Sequence, residues 1–95
     1  MQASLILRER LDLADDIFVE IVVWLLPRKL PGSAHRFKYR LALMSSGACV
    51  LRYDNESGKG DHKRVGKREH PHGFTDIETL QVDFWTDVDE WLKRN

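Results

Sequence analysis

Cysteine is almost missing from this chain. The single thiol, Cys49, can close no internal disulfide and build no thiolate metal site, so a reducing, cytoplasmic setting is expected. Long hydrophobic runs are missing too. The longest, Ile21 to Leu26, is stopped by Pro27 and falls well short of the roughly 20 residues of a membrane helix. Arg8, Glu9 and Arg10 interrupt the apolar residues before a signal-peptide core of about 7 to 15 residues can form, and the start reads as mature protein. Neither residue number nor composition leaves room for a second core: the 95 residues, 42% hydrophobic, read as one domain spanning 1–95. A chain this small buries a modest share of its surface, so a homodimer or a partner chain is expected to help hold it.

Net charge is also absent, with 15 basic against 15 acidic side chains, yet the charges are partitioned along the chain. Residues 1–26 and 74–95 are acidic overall, whereas 27–73 carry eleven basic residues and four acidic ones. A cationic block of this kind gives a neutral molecule a local field that a polyanion would feel, although a solvated sheet face has the same composition.

The pattern along the chain predicts an α+β fold, an antiparallel β-meander of four to five strands packed against one C-terminal helix. Ser4 to Leu11 and Ile17 to Leu26 read as strands around a turn at Leu13–Asp16. Two prolines and a glycine in residues 27–33 mark a connection. From His35 to Met44 the residues Phe37, Tyr39, Leu41 and Leu43 alternate with Arg36, Lys38 and Arg40, a strand with one apolar and one basic face. Ser45-Ser46-Gly47 turns into a fourth strand from Ala48 to Tyr53. The polar stretch from Asp54 to Gly73 is expected to be a mobile loop or hairpin, with Lys63 to Glu69 as an optional edge strand. Thr75 and Glu78 form a capping box, and Ile77, Leu80, Phe84, Val88, Trp91 and Leu92 then make a helical apolar stripe. Trp85 lies off that stripe and is a candidate anchor for a dimer or partner protein.

Most of the chemically useful groups fall between Arg52 and Gly66. Gly58 and Gly60 flank Lys59, a spacing in which backbone amides can turn toward a phosphate. The segment is no ATP-binding Walker loop, because Gly60 and Gly66 are one residue too far apart and Arg68 stands where Ser or Thr is needed. His62 is the candidate proton-transfer group, Asp54 or Asp61 its orienting carboxylate, and Lys59 the group that stabilises charge on phosphorus. A second acid or base would come from His35, Lys59 or His70. Arg36, Lys38 and Arg40, spaced two apart on a strand, match the spacing of nucleic-acid phosphates, and Arg52, Lys63 and Arg64 extend this binding set. The spacings of His62, His70, His72, Asp54, Asp61 and Glu69 fit no standard zinc signature, and no metal or cofactor is expected.

Taken together, Arg52-Tyr53-Asp54-Asn55-Glu56, Gly58-Lys59-Gly60-Asp61-His62, Pro31-Gly32-Ser33 and His35 to Leu41 closely resemble the TumE family of prokaryotic toxins. The resemblance spans nearly the whole chain. It implies the toxin half of a two-gene toxin–antitoxin locus, neutralised by a helix-turn-helix antitoxin encoded next to it. Family members commonly carry a second histidine two positions after the first; this chain has Arg64 there, which serves a phosphate as a cation and leaves a two-histidine metal site incomplete. The expected activity is that of a toxin acting on RNA, as a metal-independent endoribonuclease. The alternative is a non-catalytic toxin, or an antitoxin-binding module, that blocks a nucleic-acid or protein target by occupancy.

Overall fold

The computed structural model describes residues 2–95. Six strands, β1 (Ser4–Ala14), β2 (Ile17–Leu25), β3 (Phe37–Ser45), β4 (Ala48–Glu56), β5 (Gly60–Val65) and β6 (Arg68–Pro71), form one antiparallel sheet in chain order, followed by the helix α1 (Ile77–Arg94). The expected meander and helix are both present, and the sheet has one strand more than the four to five predicted. The polar stretch is not a loop: β5 and β6 pair with each other and β5 pairs with β4.

Alternation sorts the sheet into two faces. Val19, Ile21 and Val23 of β2, Tyr39, Leu41 and Leu43 of β3, and Leu51 and Tyr53 of β4 are buried together with Leu80, Phe84 and Val88 of α1. These positions recur every two residues in the strands and every four in the helix, so each element turns one apolar side to the same core. Phe84 meets the Tyr53 ring edge-on at 5.6 Å between centroids, and its complete burial alone contributes about 1.5–3 kcal/mol. Trp85, expected to face a partner, instead packs against this core beside Phe84, 5.8 Å between rings; the apolar stripe is simply wide enough to include it. Val82 remains exposed.

The β3–β4 hairpin turns on Ser46 and Gly47, both at positive φ (50° and 79°), a backbone whose twist matches the flanking strands. The helix begins one residue later than the capping box implies. Asp76, not Thr75, is the N-cap, accepting a hydrogen bond from the Thr79 amide at 2.7 Å, and that amide bond holds its carboxyl below the usual carboxylate range.

Polar contacts fix the helix and the β6–α1 connection to the sheet. Tyr53 donates its hydroxyl to Asp87, Lys63 Nζ lies 3.0 Å from the same carboxylate, and His72 Nε2 lies 3.0 Å from Asp83. Burial first, then the hydrogen bond to Asp87, pushes the Tyr53 phenol well above its usual pKa.

Candidate functional site

Registers in the ladder decide which side chains can meet. Val22, Arg40, Asp54, His62 and Pro71 are successive partners across β2 to β6, and the neighbouring row is Glu20, Ala42, Arg52, Arg64 and Glu69. Directly paired residues point to the same face. Asp54, His62, Arg52, Arg64 and Glu69 therefore share the face opposite the helix, joined by Glu56, two residues beyond Asp54.

His62 is the centre of this group. Its side chain is only 6% exposed, and Nε2 lies 2.8 Å from Asp54 Oδ1 and 3.0 Å from Glu69 Oε1. Nδ1 lies 3.3 Å from the Gly60 carbonyl. Arg52 Nε sits 3.1 Å from the other Asp54 oxygen. Asp54, Glu56 and His62 bring ligand-type atoms within 4.8 Å of one another. Beside them an open groove of about 270 Å³ is lined by Lys59, Asp61, His62, Glu69, His70 and Pro71. Lys59 and His62 thus converge on one accessible place, as the sequence led us to expect.

Several expected members lie elsewhere. Asp61 is next to His62 in a strand and so points the other way. On the helix-covered side it accepts a hydrogen bond from Tyr39 Oη at 2.5 Å and lies 2.9 Å from His35 Nε2; of the two carboxylates, only Asp54 can orient His62. Burial, followed by the bond to Asp61, raises the Tyr39 phenol far above its ordinary pKa. His35 is not a second acid for His62. Its Nδ1 accepts from the Phe37 amide at 3.1 Å, its Nε2 faces Asp61, and its ring stacks on Phe74 at 3.9 Å. His70 does line the groove.

The basic residues divide in the same way. Lys63 is drawn to Asp87 on the helix side, so it leaves the binding set on this face. Lys38 donates to the Asn55 carbonyl, and Arg52 is tied to Asp54. Arg36, Arg40 and Arg64 are exposed and make no ion pair among the described residues. Arg36 precedes β3 rather than lying within it, so the three-residue phosphate track of the sequence reading is interrupted at both Arg36 and Lys38.

The glycine-flanked lysine has a different role from an anion nest. Gly58 (φ 83°) donates its amide to the Pro31 carbonyl at 2.7 Å, and the Lys59 amide donates to Glu56 at 3.1 Å. A Cβ at Gly32 would come within 3.5 Å of the Gly58 backbone. The glycines let two loops meet backbone to backbone, and that contact consumes the amides a phosphate would need.

Residues 2–92 match the family model described as Toxin TumE. The chain belongs to the TumE toxin family. Comparison with curated proteins and with solved structures gives no further match. Membership in the TumE family makes this chain a toxin and implies an antitoxin partner. The residues shared with TumE toxins now separate by task. Asp54, Lys59 and His62 meet at the groove, whereas Pro31, Gly32 and Gly58 dock loops and Tyr39, Tyr53, His35 and Asp61 brace the helix side. Asn55 was not singled out by sequence reasoning. It is buried, accepts from the Tyr39 amide at 3.1 Å and donates to the Phe37 carbonyl at 2.7 Å, continuing the β3–β4 ladder with a side chain. No helix among the described residues is long and apolar enough to cross a membrane.

Proposed function

We propose that this toxin acts on RNA as an endoribonuclease at the groove over His62, and that its antitoxin is a helix-turn-helix protein. The observation that carries this reading is the His62 imidazole set against Asp54 and Glu69 at an open groove that Lys59 and His70 also line. Cleaving RNA without a metal requires a base to take the ribose 2′-hydroxyl proton, attack of that oxygen on phosphorus, and an acid to protonate the departing 5′-oxygen. His62 and His70 are the two imidazoles available for those roles. Lys59 stabilises charge on the phosphoryl oxygens, and Arg64 and Arg40 hold flanking phosphates.

Occupancy without turnover is the second reading, favoured by Arg40, Arg52 and Arg64 standing on one face. Two replacements test the leading reading in growth inhibition on induction. His62→Gln removes the imidazole, and Lys59→Gln changes an exposed side chain that the fold does not need. Both should abolish or strongly reduce toxicity in a folded chain. Full toxicity of both folded variants would reject the groove as the site of action.

A further inference from the structure

The His62 cluster holds more negative charge than its protein partners neutralise. Asp54, Glu56 and Glu69 contribute three carboxylates. Arg52 contacts Asp54, and Lys59 Nζ lies 3.9 Å from Glu56, so with a neutral imidazole one negative charge is left over.

The imidazole itself is unusual. Nδ1 faces the Gly60 carbonyl, the backbone contact that fixes a ring with its proton on Nδ1 and its lone pair on Nε2. Nε2 then meets two carboxylate oxygens at 2.8 and 3.0 Å without a well-directed hydrogen bond to either, and the buried Asp54 Oδ1 is likewise without a hydrogen-bond partner among the described residues. Lone pairs held this close repel unless a positive centre sits between them. Two donors bound in adjacent positions at about 2.1 Å from one ion stand about 3 Å apart, close to the spacing here.

From this geometry we infer that Asp54, Glu56 and His62, with Glu69 at the edge, bind one divalent first-row cation such as Mn²⁺ or Zn²⁺. The mixture of an imidazole with carboxylates selects that class over a purely oxygen-bound ion. Three protein donors leave positions of a six-coordinate ion free for water or a phosphate oxygen arriving through the groove. The inference replaces the metal-free expectation from the sequence and does not depend on RNA being the target. An ion at Nε2 removes His62 from proton transfer and supplies the electrophilic charge instead.

The test is titration of the chelator-treated full chain with Mn²⁺ alone, followed by electron paramagnetic resonance, and with Zn²⁺ by calorimetry. One ion per chain is expected. Glu56 is exposed at a strand end, so Glu56→Gln should keep the fold and weaken binding by at least about tenfold. Glu78→Gln on the helix should leave binding unchanged. In nitrogen spectra Mn²⁺ should broaden His62 Nε2 before any other imidazole nitrogen. Absence of binding at millimolar ion, binding untouched by Glu56→Gln, or an imidazolium at His62 in saturating ion would overturn the inference. Because these readouts contain no RNA and no cells, they fail independently of the RNA reading.

Discussion

Replacing Asn55 with Ala should be the most damaging small change in the motif that carries the family resemblance, although Asn55 touches no part of the groove chemistry. Its amide serves two backbone groups, the Tyr39 N–H and the Phe37 carbonyl, at the end of the β3–β4 ladder. Tyr39 is 1% exposed, so its orphaned N–H costs about 1–3 kcal/mol. Phe37 is only partly buried, and losing its bond costs about 0.5–1.5 kcal/mol because water can replace the partner. The total, about 2–4 kcal/mol, is a large part of the roughly 5–15 kcal/mol that holds a domain together. At about 4–8 °C per kcal/mol for a chain of this size, the melting temperature should fall by at least about 10 °C. Urea unfolding gives the free energy, and amide exchange at Tyr39 reports the specific bond. A loss below about 1 kcal/mol with Tyr39 exchange unchanged would refute the claim that this side chain completes the ladder.

Two further outcomes follow from the helix-side networks. Tyr39 and Tyr53 both have phenol pKa values raised in the fold; a raised acid favours its neutral form when folded, so the associated stability is full below the unfolded value near pH 10 and declines above it. Thermal melts across that range should show an alkaline loss that Tyr39→Phe and Tyr53→Phe each diminish, and an unchanged profile in both would contradict the assigned environments. Asp61→Asn should lower stability by about 1–3 kcal/mol by weakening the contacts to Tyr39 and His35, while toxicity follows only the folded fraction; loss of toxicity in a fully folded Asp61→Asn chain would return Asp61 to the reaction.

The parts of the fold legible in sequence were those whose burial leaves a period. Leu80, Phe84 and Val88 mark the helix, and Tyr39, Leu41 and Leu43 mark β3, because each faces one continuous apolar core. β5 and β6 leave no such trace. Of β5's six residues only His62 is buried, and β6 is exposed throughout, so these strands are held by ladder bonds and ion pairs that composition does not announce.

That omission explains the main error at the site. In a loop, Asp61 and His62 are neighbours that can serve one proton; in a strand they are on opposite faces, and Asp54 across the ladder becomes the partner instead. Lys63 changes sides for the same reason. The pairing of Lys59 with His62 survived because a lysine in the turn before β5 reaches the groove whichever way the strand runs. Asn55 escaped notice because an amide that substitutes for a backbone partner resembles any polar residue near a turn.

The central claim, that the His62 groove turns over RNA, is tested most directly by incubating purified chain with a large molar excess of labelled single-stranded RNA and counting cleavage events per chain, with Lys59→Gln beside it. The account predicts many turnovers by the native chain and a loss of at least about tenfold in the variant, as removal of a charge-stabilising group entails. Tight RNA binding without turnover, or turnover unaffected by Lys59→Gln, would contradict it.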